Sequence, residues 1–308
     1  MPETETLIPN CRFCAEDPSL QTIKGAHVYG GTPEQHFYRC AACDSIYLYP
    51  PLNAAEETRF YKEEFENYMS ERSGQDMDWT GPEKHFQSNQ REVSRRLPFL
   101  QPYLKHKSHT LEIGCSSGFM LSALQKEGMD VCGLDPSGGF IDYVRAKGIK
   151  VFSDLQELKK NHKPSFDLII HYYVLEHISD PVEFLNEYLK LLKPGGVMVF
   201  EVPCVSDPLI ELYHVGPFEK FYWSVAHHWY FNKTSMAQIL KKAQCTFELF
   251  PEQRYDLSNH VVWMNEGKSG GLGRYKDLFG EELDRLYKAQ LKKNWLCDTI
   301  VAVLKPEV

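Results

Sequence analysis

Between Thr110 and Val202 short apolar runs alternate with stretches of helical spacing. The runs predict strands at 110–114, 130–135, 150–152, 166–170 and 197–202. The intervening stretches predict three helices. One spans Phe119 to Lys126, and one follows Ser137 through Phe140, Ile141, Tyr143 and Val144 to Gly148. The third opens at Pro181 and runs to Leu192, stopped by Lys193-Pro-Gly-Gly196. Strand and helix in regular alternation imply an α/β domain with a mainly parallel sheet. Downstream, the pattern predicts a helix from Thr234 to Ala243, a strand from Cys245 to Pro251 and a helix from Tyr275 to Lys293. A final strand, Cys297 to Leu304, is expected antiparallel to its neighbours. Upstream, residues 53–72 place Phe60, Tyr61, Phe65, Tyr68 and Met69 on one helical face. A second helix is expected from Glu83 to Leu104, bent at Pro98 and Pro102.

The first 50 residues follow a different logic. Cys11-Arg-Phe-Cys14 and Cys40-Ala-Ala-Cys43 are two C-x-x-C pairs, each able to present two thiolates to one ion. Together they match a closed tetrahedral zinc site, structural because it has no open position. A segment this small has little core, so a metal staple makes physical sense. Short strands are expected at His27–Pro33 and Gln35–Arg39, with His27 and His36 as surface or packing residues. The chain thus divides into a zinc-ribbon-like module (1–50), a helical linker or lid (51–104) and an α/β domain (105–308). The last carries a helical, aromatic cap at 203–230 and an insert at 256–296.

The most informative stretch is Thr110-Leu-Glu-Ile-Gly-Cys-Ser-Ser-Gly118, with Val131-Cys-Gly-Leu-Asp-Pro-Ser137 after it. A strand enters a Gly/Ser turn and a helix follows. A second strand delivers Asp135 to the same crevice, because adjacent parallel strands open their carboxyl ends together. Gly114 and Gly118 allow close backbone approach, and a carboxylate opposite can hold the hydroxyls of a ribose. This predicts a site for a nucleoside-bearing cofactor. The turn lacks the G-x-G-x-x-G spacing of dinucleotide sites.

Glu112-Ile-Gly-Cys-Ser-Ser-Gly118, Gly133-Leu-Asp-Pro-Ser137, Phe166-Asp-Leu-Ile-Ile170, Val174-Leu-Glu-His-Ile178 and Leu192-Lys-Pro-Gly-Gly196 together resemble class I S-adenosylmethionine-dependent methyltransferases over roughly residues 80–250. The resemblance implies a Rossmann-like seven-stranded sheet. Ser116 stands where the family's turn has its middle glycine. By position, the turn from Gly114 through Cys115 and Ser116 to Gly118 would face the methionine part of S-adenosylmethionine, with Glu112 orienting it. Asp135, followed by Pro136, would bind the ribose, and Asp154 would meet the adenine or cap a helix. Apart from the resemblance, the aromatic face at 53–72 either docks these helices on the next domain or lets Tyr61 or Tyr68 close over the cofactor as a lid. Cys115 and Cys132 read as small packing residues.

Acceptor chemistry is expected at the crevice. Candidate bases are His177, just past the fourth strand, and His227 and His228 in His227-His-Trp-Tyr-Phe231. Tyr172 and Tyr173 wall the pocket or pack on the sheet. Trp223 and Trp263 stack on a sugar ring or pack in the core. Zinc-ribbon modules joined to this methyltransferase type resemble bacterial enzymes acting on sugar nucleotides or surface-glycan precursors. Deoxysugar C-methyltransferases carry a further carboxyl-terminal domain for which the chain has no room, so O-methylation is expected. C-methylation of a nucleotide-linked keto-sugar, methylation of rRNA or tRNA bases, and a non-catalytic binding protein are the alternatives. A formal charge of −8 opposes a nucleic-acid surface. No run is long enough to span a membrane. Nine cysteines without a secretory signal point to the reducing cytoplasm.

Overall fold

The computed structural model describes residues 8–60, 68, 81–161 and 165–307. Tyr61, Phe65 and Met69 of the expected aromatic face, and with them the Tyr61 lid, lie outside these residues. Strands β4 (His109–Ile113), β5 (Asp130–Leu134), β6 (Lys150–Phe152), β7 (Phe166–Tyr172), β8 (Leu192–Pro203), β10 (Cys245–Glu252) and β11 (Thr299–Pro306) form one sheet in the order β10-β11-β8-β7-β4-β5-β6. The pairs β8–β7, β7–β4, β4–β5 and β5–β6 are parallel, and β11 runs antiparallel to both β8 and β10. This is the seven-stranded Rossmann-like arrangement expected from the sequence.

The inner strands are predominantly apolar because both faces are covered, with Glu112, His171 and Glu201 as buried exceptions. Leu168, Ile170, Val197, Val199, Val301 and Val303 join the helices Phe119–Lys126 and Gly138–Ala146 on one side. Ile169, Met198, Phe200, Ala302 and Leu304 join Leu155–Asn161, Pro181–Leu189 and Lys233–Leu240 on the other. The alternation follows the two-residue period of a strand. No helix among the described residues is long and apolar enough to cross a membrane.

Some boundaries differ from expectation. The helix after Pro181 stops at Leu189, and Leu192 already pairs with Phe166. The ladder resumes at Leu168–Val197, so Lys193-Pro-Gly-Gly196 is a bulge inside β8. The expected helix 83–104 is two helices, Pro82–Ser88 and Gln90–Leu100, and the break falls at Asn89. There the Asn89 amide donates to His85 O at 2.9 Å and satisfies a terminal carbonyl. Pro98 is carried inside the second helix. The helix of the insert spans Lys276–Lys293 and is kinked at Gly280.

The amino-terminal residues build a second sheet in the order β1-β2-β3-β9, from β1 (Gln21–Gly25), β2 (His36–Cys40), β3 (Ile46–Tyr49) and β9 (Trp229–Tyr230). Residues 27–33 are not a strand of it. Tyr29 instead pairs with the cap, donating to Trp223 O at 2.6 Å and accepting from Val225 N at 3.0 Å. A side chain at Gly25 would come within 2.5 Å of the Trp223 ring, so glycine lets the sheet and the cap touch. Trp223 is fully buried against Phe37 and Tyr230, and Trp263 packs on Phe218 and Phe221. Both tryptophans are core residues, and neither presents a free face to a sugar ring.

His171 lies in the middle of this packing. Its ring stacks on Phe200 at 4.5 Å and 9°, and neither nitrogen has a hydrogen-bond partner among the described residues. Burial pushes it from 6.5 down to about 3. The unfolded chain therefore binds this proton near pH 6.5 and the folded chain only near 3. Its contribution to stability is complete above 6.5 and is lost as the pH falls through that window. His171→Leu should resist acid better than the wild type, by about 3 kcal/mol at pH 4.5 relative to neutral pH. Urea denaturation at the two pH values checks this, and an equal loss in both proteins would disprove it.

Candidate active site

The Gly/Ser turn forms where β4 meets the helix Phe119–Lys126. Gly114 N and Cys115 N both donate to Leu134 O, at 2.7 and 3.3 Å, which ties the turn to the end of β5. Gly114 has φ +67°, and a side chain there would come within 2.6 Å of Val174. Ser116 also takes a left-handed backbone, φ +48°, at the cost that any side chain meets there.

Asp135 closes the site from β5. Its two oxygens accept from Ser116 N at 2.7 Å and Ser137 N at 2.9 Å. Burial raises its pKa, and these two N–H groups oppose the rise. A carboxylate oxygen has room for a second donor, so the group is anchored while retaining acceptor capacity for two hydroxyls. Glu112, behind the turn, is buried. Burial pushes it up to about 8, opposed by Arg96 and by the Leu121 N–H in the first turn of the helix. The Cys115 thiol packs where a Gly133 side chain would lie, and burial raises it far above its ordinary range. Burial likewise pushes Cys132 up to about 12.

The other cofactor candidates spread more widely. Pro136 is exposed beside Asp135. Asp154 accepts from Glu157 N at 2.8 Å and so caps the helix Leu155–Asn161. Tyr68 is in the cap cluster, its hydroxyl 2.6 Å from Ser224 Oγ. His85, which sequence pattern did not single out, abuts the turn with Nδ1 2.8 Å from Ser117 Oγ. Burial lowers it to about 4.

After β7, which runs parallel beside β4, the chain makes a short 3-10 turn, Leu175–His177. Glu176 is 1% exposed, neither of its oxygens has a hydrogen-bond partner among the described residues, and burial pushes it up to about 8. His177 Nδ1 lies 2.8 Å from Ala226 O, and the His227 ring stands perpendicular to the His177 ring at 4.7 Å. His228 N donates to Glu176 O at 2.8 Å. The His228 side chain turns away to Glu57, and burial lowers it to about 4. The structure thus gathers His177 and His227 and leaves His228 outside the group.

A buried ionic network, not visible as a motif, braces the same end of the sheet. Arg95 grips Glu201 of β8 with two 2.7 Å bonds, Arg96 adds a third at 3.0 Å, and Arg95 also holds Glu92. The Arg96 guanidinium lies 3.8 Å from the Tyr172 ring centroid. Tyr173, at φ +57°, bonds Thr299 through its hydroxyl at 2.9 Å. Both tyrosines therefore pack at the head of the sheet. Glu92, Arg95 and Arg96 have helical spacing, but their partner Glu201 is more than a hundred residues away.

Cys11, Cys14, Cys40 and Cys43 converge, with all four sulfurs within 4.8 Å of one another and Sγ–Sγ distances of 3.6 Å (Cys11–Cys43) and 3.7 Å (Cys14–Cys40). Four thiolates around a zinc at 2.3 Å would be about 3.8 Å apart, so the cradle fits that ion. His27 is exposed and His36 bonds Ala26 O at 2.9 Å, both outside the group.

Residues 84–248 match the family described as Methyltransferase domain. The chain belongs to this family. The matched span contains the turn, Asp135, Asp154 and the three histidines, and the four cysteines precede it. The methyltransferase domain is similar to the ubiquinone biosynthesis O-methyltransferase of Coxiella burnetii, 30% identical over 112 residues, 34% of this chain and 48% of that protein. The chain spans about half the length of these Coxiella relatives. The enzyme of the same name from Histophilus somni is 28% identical over 221 residues, 62% of this chain and 87% of its own. Among solved structures, a SAM dependent methyltransferase from Archaeoglobus fulgidus is 22% identical with a TM-score of 0.48, covering 72% of this chain and 97% of its own.

Proposed function

We propose that the chain transfers a methyl group from S-adenosylmethionine to a hydroxyl of a small molecule, a sugar nucleotide or surface-glycan precursor being the acceptor. One observation carries the reading. The Gly114 turn and Asp135 follow β4 and β5, the neighbouring parallel strand β7 leads to Glu176 and His177, which gather with His227, and Val174 lies against Gly114. Donor and acceptor functions would then share one end of the sheet, contributed by elements far apart in sequence.

S-adenosylmethionine supplies an electrophilic methyl on a sulfonium, so the protein's tasks are alignment, exclusion of water and removal of a proton. The turn 114–118 would hold the methionine part, and Asp135 the ribose hydroxyls. His177 or His227 would take the acceptor proton, because the Ala226 carbonyl requires an N–H on His177 Nδ1 and leaves Nε2 facing Glu176. Zinc on the four cysteines would be structural. The relatives named O-methyltransferases support oxygen as the acceptor atom, and their name favours a second reading in which the acceptor is a ubiquinone precursor.

The test is incubation with methyl-labelled cofactor and a panel of nucleotide sugars, glycans, ubiquinone precursors and RNA, with mass spectrometry to place the methyl. Label on RNA alone, or on carbon alone, would overturn the reading. His177→Ala and His227→Ala should keep cofactor affinity by calorimetry and lower kcat by about 10²- to 10⁴-fold. Unchanged turnover in both would remove them as bases.

A further inference from the structure

Besides the four cysteines, one other set of side chains among the described residues is placed to hold a metal, namely Glu176, His177 and His227, whose ligand atoms all lie within 4.8 Å of one another. We propose that these three residues bind a single divalent transition-metal ion on the acceptor side of the crevice. The proposal rests on the methyl-transfer reading for its chemistry, and not for the binding itself.

Three features of the site argue for an ion. First, the Glu176 carboxylate is 1% exposed and neither oxygen meets a hydrogen-bond donor among the described residues. Buried polar groups are ordinarily satisfied, and an ion is one way to satisfy a carboxylate. Second, His177 is oriented as metal-binding histidines usually are. One ring nitrogen donates to a backbone carbonyl, Ala226 O at 2.8 Å, which fixes the tautomer and turns the lone pair of the other outward. That second nitrogen, Nε2, is 4.0 Å from Glu176 Oε1, too far for a hydrogen bond. Co-ligands of an ion with bonds near 2.1 Å stand about 3.0 to 3.4 Å apart, so this pair would need to close by about an ångström or less, and no pair in the group by more than about two. Third, the His227 ring is perpendicular to that of His177 at 4.7 Å. The two rings are therefore not stacked face to face, and each offers one ligand atom to the group.

The backbone makes the juxtaposition rigid. His228 N donates to Glu176 O while Ala226 O accepts from His177, so the segments carrying the ligands are stitched on either side of them. Two imidazoles and one carboxylate suit a first-row ion such as Mn²⁺, Fe²⁺, Co²⁺ or Zn²⁺. Three protein ligands leave coordination positions open, in contrast to the closed four-thiolate site. With the ion bound, His177 and His227 would act as ligands in place of acting as the base, and an acceptor hydroxyl at an open position would ionise nearer neutral pH, its proton passing to solvent. Its oxygen would form the new bond to the methyl carbon as the carbon–sulfonium bond breaks. The electron pair stays on sulfur, leaving a neutral thioether.

The full chain with zinc on its cysteines should be titrated with Mn²⁺, following the loss of the free-ion electron paramagnetic resonance signal, and separately with Co²⁺, following its visible absorption. One equivalent of at least one of these ions should bind in addition to zinc. Glu176→Gln and His227→Ala should weaken that binding at least tenfold, and His228→Ala, outside the group, should leave it within threefold. Thermal melts and S-adenosylmethionine calorimetry confirm that each variant is folded. Absence of Mn²⁺ and Co²⁺ binding in the wild type, or equal affinity in Glu176→Gln and His227→Ala, would overturn the site. Binding of the ion without binding of S-adenosylmethionine would uphold the site and sink the methyl-transfer reading.

Discussion

Asp135→Ala is expected to weaken S-adenosylmethionine binding about 100-fold or more. A hydrogen bond to a charged group contributes roughly 1.5 to 3 kcal/mol. Two ribose hydroxyls on one carboxylate therefore represent about 3 kcal/mol at the lower end, a factor of about 100. The substitution acts a second way, because the same oxygens hold Ser116 N and Ser137 N. Losing them frees a turn whose Ser116 already has a left-handed backbone. Asp135→Asn separates the two effects, since its one amide oxygen can still accept from the turn while the charge is gone. Calorimetry on all three proteins is the check, with melts to establish folding. Affinity within threefold of wild type in Asp135→Ala would exclude a cofactor role for this residue.

Cys40→Ser is expected to damage turnover far from the substitution. Metal at a structural zinc site supplies on the order of 10 kcal/mol to small isolated modules, so losing one of four ligands should melt β1 to β3. The damage would extend to the acceptor side, because Tyr47 and Ile46 of β3 pair with Trp229 and Tyr230 of β9, directly after His227 and His228. Leu48 N also donates to His228 O at 3.0 Å. Turnover should fall by about 100-fold or more, as misplacement of a catalytic group by an ångström can do. Affinity for S-adenosylmethionine should stay within about threefold, since the turn and Asp135 belong to the other sheet. Zinc content, melting temperature, kcat and cofactor affinity are measured together. Unchanged kcat and melting temperature would show that the thiol cradle is dispensable.

The parallel core was legible because its information is local. Ile169 and Ile170 announce a strand buried on both faces wherever they fall in the chain, and Gly114 to Gly118 announce a turn by composition. The four cysteines were legible for the same reason. What escaped was non-local. Nothing near residue 27 says that Tyr29 pairs with Trp223 O instead of with β2, or that Arg95 finds Glu201. The break at Asn89 was misplaced because the prolines at 98 and 102 were the stronger local signal, whereas the Asn89 amide caps the preceding helix through His85 O. Among the three candidate histidines the sequence had no means of choosing. His227 and His228 are adjacent, and only the fold turns one toward His177 and the other toward Glu57.

The sheet shared by residues 21–49 and 229–230 also sets an order on biosynthesis. Ile46 and its partner Tyr230 are 184 positions apart, so at roughly 5 to 20 residues per second the ribosome needs about 10 to 40 seconds to deliver the last strand. Throughout that interval Ile46 and Leu48, buried in the finished protein, have neither β9 nor the cap to cover them. The cysteine module thus emerges well before the strand and the cap that complete its sheet. Its nascent form is a natural client for a chaperone that holds apolar strand edges.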